Sequence, residues 1–230
     1  MLNASQGTRG YQAQLLQRLL NKQGAQPRLV EDGVFGQRTR DAVIAFQTAH
    51  AIRPATGAAP PAIFTALGLR TEIEHPIRTF GQPTNMSCWS ASMTMMRGTN
   101  MSVGPGAATL GSDGGLETTE ANIAVFARQN GLRVISSMVS ISVAQMTAFL
   151  RASPVLAIGA GGSGANSWAH ASVISAIYSD SAPDASGTML RINDPWPPGV
   201  GRTYGVFYTG GQQRVPGSDY NLFAAYLLGR

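Results

Sequence analysis

At 230 residues, with 43% hydrophobic and 13% charged side chains, the chain reads as globular and able to bury a sizeable core. A single cysteine excludes an internal disulfide, and no run of about 18 apolar residues exists to make a transmembrane helix. The whole net charge of +5 lies in residues 1–70, where eight basic residues face Glu31, Asp32 and Asp41; residues 71–230 balance nine against nine.

From Tyr11 to Gln23, Tyr11, Leu15 and Leu19 form one helical stripe with Leu16 and Leu20 beside it. The turn Glu-Asp-Gly-Val-Phe-Gly (31–36) follows, then a second helix over Gln37 to His50 with Ala42, Val43, Phe46 and Ala49 inward. Pro60 and Pro61 suit the first turn of a third short helix with Ile63 and Leu67 inward, closed by Gly68. A basic module beside a neutral remainder suits a polyanionic partner, but no nucleic-acid motif is present and nucleic acid is not expected. Thr71 to Thr79, with Glu72, Glu74 and Pro76, reads as a linker in which His75 stands alone.

Residues 82–97 are the centre of the remainder. A turn-rich approach (Pro83, Thr84, Asn85) enters a helix with Trp89, Met93 and Met96 at spacing i, i+4, i+7, stopped by Gly98. Cys88 therefore sits in the first turn, where open N–H groups and the helix dipole favour thiolate. Gln82, six residues upstream, carries an amide able to donate to an oxyanion.

Beyond it, Gly104 to Gly115 reads as a surface loop near the cleft, Thr119 to Asn130 as a helix and Leu132 to Ser136 as a strand. Ser142-Val-Ala-Gln145 is a capping-box pattern opening a helix, and Pro154 introduces the apolar strand Val155–Ile158. Gly159 to Gly164 fits neither a P-loop nor a dinucleotide fingerprint and reads as a mobile lip. His170, the only histidine after Cys88, begins the β-rich run to Tyr178, and a second strand covers Met189 to Asp194. A hairpin turn centred on Ala182 sets His170 opposite Asp194, close enough for the acid to fix the imidazole; one residue of slip substitutes Asn193. Trp168 and Tyr204 fit a cleft wall or the core equally. One cysteine and three scattered histidines make no metal-ligand cluster, and no cofactor or metal is expected.

Two resemblances follow. Leu-Leu-Gln-Arg-Leu-Leu with Asp-Gly-Val-Phe-Gly-Gln-Arg-Thr-Arg-Asp-Ala-Val-Ile-Ala-Phe-Gln (32–47) resembles the peptidoglycan-binding domain of bacterial cell-wall enzymes over residues 9–69, with the second Asp-Gly turn reduced to Ala55-Thr56-Gly57. Gln-x5-Cys-Trp, His170 and Asp194-Pro195-Trp196 resemble papain-like cysteine peptidases. Asp194-Pro195 after a strand also resembles the leader-peptide peptidases of bacteriocin exporters, and Asn-Asp-Pro-Trp-Pro-Pro-Gly with Gln-x5-Cys-Trp resembles the papain-like effector proteases of plant-pathogenic bacteria. These resemblances imply an α+β chain: a three-helix bundle (1–70), a linker (71–78), and a papain-like hydrolase domain (79–230). In that domain a helical part carrying Cys88 packs on an antiparallel sheet carrying His170 and Asp194. Cys88 is the expected nucleophile, His170 the base, Asp194 or Asn193 the third member, and Gln82 the oxyanion donor.

Peptidoglycan is then the expected partner and the amides of its peptides the expected substrate; a protein substrate is the alternative. The N-terminus lacks the order of a signal peptide. The expectation is export by a dedicated machine as an antibacterial toxin, cytoplasmic before export and active in a target cell's periplasm, with a cognate immunity or inhibitor protein.

Overall fold

The computed structural model describes residues 1–137, 141–163, 168–211, 215 and 218–230. They form two compact units, Met1–Glu72 with Tyr178–Met189, and Ile73–Ile177 with Leu190–Arg230.

In the first unit, helices α1 (Tyr11–Lys22), α2 (Gln37–Ala49) and α3 (Pro61–Ala66) bury Leu15, Leu16, Leu19, Leu20, Phe35, Val43, Ile63 and Phe64. Each such side chain contributes about 1.5–3 kcal/mol relative to exposure. Two buried glutamines organise the turns. Gln17 Oε1 accepts from the Gly33 N–H (2.9 Å), and Asp32 Oδ1 accepts from Val34 N–H (2.8 Å). Gln47 Oε1 likewise accepts from Gly57 N–H (2.9 Å), while Thr56 Oγ1 accepts from Ala58 N–H (3.2 Å). Gly33 and Gly57 both hold positive φ, at 71° and 74°. The second turn, which has lost its aspartate, thus keeps the backbone form of the first. Residues 178–189 close this unit: Tyr178 stacks on Tyr11 at 5.9 Å, and Lys22 pairs with Asp180.

The second unit is built on a sheet. Its elements are β1 (Thr71–Glu74, beginning at the unit boundary), α4 (Cys88–Arg97), α5 (Glu120–Gln129), β2 (Arg133–Ser137), α6 (Val143–Ala152), β3 (Val155–Gly161), β4 (Trp168–Ser179), β5 (Met189–Asp194), β6 (Arg202–Phe207) and β7 (Asn221–Gly229). Of these strands, β4 and β5 have their last and first residues, Tyr178–Ser179 and Met189, in the first unit. The strand order is β2-β7-β3-β4-β5-β6, with β1 on β4. The pairs β2–β7, β7–β3 and β3–β4 are antiparallel.

Alternation along the strands divides the core in two. Leu156, Ile158, Ala171 and Leu228 meet Trp89 and Met93 of α4 and Ile123, Phe126 and Ala127 of α5. Val155, Ala157, Ile174 and Leu227 meet Met146 and Leu150 of α6. The capping box expected at Ser142 is present: its Oγ accepts from Gln145 N–H, and Gln145 returns the bond to Ser142 N–H. The fold class is the α+β arrangement expected, helices first and a large antiparallel sheet after. Among the described residues, no helix is long and apolar enough to cross a membrane.

Two segments differ from expectation. Thr71–Glu74, read as linker, is strand β1; with one apolar residue in four it carries no period to read. The first half of the glycine run expected as a lip, Gly159 to Gly161, is strand, and Gly162 and Ser163 follow it outside the strand. A Cβ on Gly159 would stand 2.5 Å from the Tyr220 ring, and one on Gly161 would stand 2.3 Å from the Trp168 ring. The glycines leave room for two aromatic rings laid against the strand; Gly164 lies outside the described residues.

Candidate active site

Helix α4 begins at Cys88 and ends at Gly98 in the left-handed conformation (φ 63°), as the spacing predicts. Trp89 and Met93 anchor it in the core, and Trp89 Nε1 donates to Gly114 O at 3.2 Å, tying the glycine-rich loop to the helix. Ser87, at the cap position, makes no side-chain cap; its Oγ accepts from Thr84 N–H at 2.9 Å instead. The first-turn N–H groups therefore carry their positive end beside the thiol without a side-chain acceptor of their own.

His170 lies near the start of β4 and Asp194 at the end of the neighbouring β5. Nε2 of His170 meets Oδ1 of Asp194 at 2.6 Å. Cys88 also acts on the imidazole and favours its charged form; with Nε2 on the carboxylate, Nδ1 is the nitrogen left for the thiol. Burial opposes the imidazolium, but hydrogen bonds to Asp194 and Cys88, with the charges of both, outweigh it and push His170 up to about 9.

Asp194 is 1% exposed and accepts several bonds. Trp196 N–H reaches Oδ1 at 2.9 Å; Tyr204 Oη–H reaches Oδ2 at 3.2 Å, and Arg202 Nε and Nη2 lie 3.3 Å from Oδ2. Burial raises this carboxyl, yet the bond and charge of His170, the Trp196 N–H and Arg202 together hold it below its ordinary value. Asn193 points to the other side, as strand alternation requires, and donates to Thr79 Oγ1 at 2.5 Å. The structure brings Asp194, not Asn193, to the imidazole.

Gln82 is fully buried and is not among the described residues lining the cleft. Its side-chain amide donates to Thr84 O (2.7 Å) and Asn85 O (2.8 Å), holding the turn that enters α4. Its backbone bonds the turn after Asp194: Gln82 N–H to Pro195 O (2.9 Å) and Gly199 N–H to Gln82 O (3.0 Å). Gly81 makes this possible, since a Cβ there would lie 2.1 Å from Val200 N. The two motifs that carried the resemblance are thus one interlocked structure. Gln82→Glu sets a carboxylate against two carbonyls, and an unfolding free energy lower by about 2–4 kcal/mol is expected in denaturant titration. A change under about 0.5 kcal/mol would deny Gln82 that holding role.

A cleft of about 760 Å³ opens on the thiol. Its wall includes Met86, Trp89, Ile158, Trp168, Trp196 and Tyr220. Trp168, 42% exposed, stacks on Tyr220 at 5.5 Å, and the Tyr220 ring meets the His170 ring edge-on at 5.4 Å. Tyr220 Oη–H also donates to His170 O at 3.1 Å. Sequence reasoning left Trp168 and Tyr204 open; Trp168 is a wall of the cleft and Tyr204 a partner of Asp194. It missed Arg202, for which no signal existed, and Tyr220, whose only signal was the glycine at 159 that makes room for its ring. His75 belongs to the frame, Nε2 bonding Leu150 O at 2.7 Å.

A helix-borne cysteine, a strand-borne histidine and a buried carboxylate around one cleft are the apparatus of a cysteine hydrolase. Residues 70–206, more than half of the chain, match the family model of the papain-like cysteine protease AvrRpt2, and the protein belongs to that family of peptidases. Residues 9–67 match a peptidoglycan-binding domain. No curated protein gave a match.

Proposed function

We propose that the protein hydrolyses amide bonds in the peptides of bacterial peptidoglycan. A wall-binding module (1–70) is joined through 71–78 to the hydrolase (79–230). The observation that carries this reading is the presence, in one chain, of a peptidoglycan-binding domain and a cleft holding Cys88, His170 and Asp194. Tethering raises the local substrate concentration at the cleft. The carboxylates Asp113, Glu117 and Asp219 on the cleft wall suit a peptide carrying free ammonium groups, while the cations described there, Arg202 and the His170 imidazolium, are both engaged with Asp194.

In the proposed reaction the Cys88 thiolate attacks the carbonyl carbon, and the oxyanion meets the Cys88 backbone N–H at the start of α4. Gln82 supplies a second donor only by turning its amide off Thr84 and Asn85; as placed, it supports the oxyanion site from beneath. His170 passes its Nδ1 proton to the leaving amine, then takes a proton from the water that opens the thioester. Asp194 keeps the ring aimed through Nε2. The setting proposed is export as an antibacterial toxin into a target periplasm, countered by an immunity protein.

The match to AvrRpt2 favours a second reading, proteolysis of a protein substrate by a secreted effector. Incubation with purified sacculi and with casein, followed by mass analysis, separates the two: muropeptide release supports the first, casein cleavage alone the second. Sacculus binding without either product would refute both.

The high His170 value sets a pH dependence. Above about 9 the imidazolium loses its proton, so kcat/KM is expected to fall through that pH. The same shift links to folding. A histidine raised from 6.5 to about 9 stabilises the native state fully below 6.5, and this contribution disappears as pH climbs past 9. Parallel pH series of turnover and of the unfolding midpoint test both; activity constant from pH 7 to 10.5 would contradict them.

A further inference from the structure

We propose that Ser92 is a positioning residue, its hydroxyl setting the separation of the Cys88 thiol and the His170 imidazole by bonding the nucleophile helix to the strand that bears the base. This rests on the Cys88–His170 reading above. Ser92 is four residues, about one helical turn, beyond Cys88, and so lies on the same face of α4. It is fully buried, and its Oγ donates to the Ala171 carbonyl at 3.0 Å. Ala171 is the residue next to His170 on β4. A short closed path therefore runs from the thiol, down one turn of helix, across one hydrogen bond and back along one peptide to the imidazole. Its last side is the interaction of the thiol with the imidazole.

Apolar packing between α4 and the sheet is non-directional and does not fix this spacing by itself. A hydroxyl–carbonyl bond is directional, and breaking it leaves a buried carbonyl without this partner, which favours a shift of the helix. Catalysis is sensitive to such shifts: a misplacement of about 1 Å can cost 10²-fold.

Ser90 provides a matched control. It is also buried on α4 and its Oγ also donates to a carbonyl, but that carbonyl is Val103, away from the base (2.5 Å).

The test is the pH profile of Cys88 alkylation by iodoacetamide, which needs no substrate, run beside kcat/KM on whichever substrate is cleaved. Wild type is expected to show an upper inflection near 9, where His170 loses its proton. In Ser92→Ala that inflection moves down by at least one pH unit, and kcat/KM falls about 10–100-fold, chiefly in kcat. Ser90→Ala leaves the inflection where it is, and Ser92→Thr, which keeps the donor, restores it at least in part. An unmoved inflection in folded Ser92→Ala overturns the proposal. Should Ser92→Ala not fold, Ser92→Cys, near in shape but a weak donor, is read by NMR titration of the 13C-labelled His170 ring. A lowered titration supports the positioning role and an unchanged one overturns it. A wild-type profile with no upper inflection would overturn the underlying thiol–imidazole pairing as well, so the two failures are told apart in different proteins.

Discussion

Cys88→Ala is expected to bind sacculi as wild type does and to release product at least about 10⁴-fold more slowly. In the proposed reaction the sulfur is both nucleophile and counter-ion. Removing it abolishes the covalent route and takes from His170 two of the influences that keep it charged, a hydrogen bond and a neighbouring negative charge. Losing one member of such a set typically costs nearly as much as losing all of it. The side chain is only half-buried and the swap removes one sulfur atom, so the fold should persist. Binding is assigned to residues 9–67, which the substitution does not touch. Sedimentation with sacculi and product analysis by mass spectrometry measure the two properties separately. Turnover within tenfold of wild type would end the cysteine mechanism.

Asp194→Ala is expected to lower kcat/KM by about 10³–10⁴ and to destabilise the protein by about 3 kcal/mol. The carboxylate collects His170 Nε2, Trp196 N–H, Tyr204 Oη–H and the Arg202 guanidinium within 3.3 Å. Truncation strands them together and leaves a buried imidazolium without its anion. Asp194→Asn discriminates charge from geometry. An amide oxygen still accepts from Nε2, and an imidazolium, protonated on both nitrogens, does not need an anion to choose its tautomer. A loss of about tenfold is therefore expected for Asn, traced to the charge that helped hold His170 protonated and to Arg202, which would face an amide in place of its carboxylate. Equal losses for Asn and Ala would mean that charge, not aim, is what Asp194 supplies.

The helix bearing the thiol could be read from the chain because Trp89, Met93 and Met96 repeat with its period and Gly98 marks its end. That His170 and Asp194 meet could be inferred from two neighbouring strands, but the turn is not centred on Ala182 as expected: β4 ends at Ser179 and β5 begins at Met189, so the connection is centred on 184 and the two residues meet through their side chains. Choosing between Asp194 and Asn193 was harder, because neighbouring residues on a strand differ only in the face they occupy, and one step of register exchanges them. Arg202 and Tyr204 were not legible as site residues. Their contacts run from β6 to the end of β5, and neither residue type announces a buried carboxylate. Gln82 illustrates the opposite limit. Its type and spacing pointed to an oxyanion donor, whereas its placement depends on carbonyls at 84, 85 and 195, which no side-chain pattern encodes. Glycine runs are ambiguous for a related reason: a flexible loop and a strand carrying aromatic rings on its bare face are spelled alike.

Strand β7 lies between β2 and β3, although the stretch matched to the peptidase family stops at residue 206. The smallest piece able to fold is therefore longer than the family resemblance outlines. A chain trimmed to that outline would lose Tyr220 from beside the imidazole and would cut strand β2 off from the rest of the sheet. Two ladders of unpaired amides would then be open to other molecules, and self-association into insoluble material would be the foreseeable fate of such a fragment.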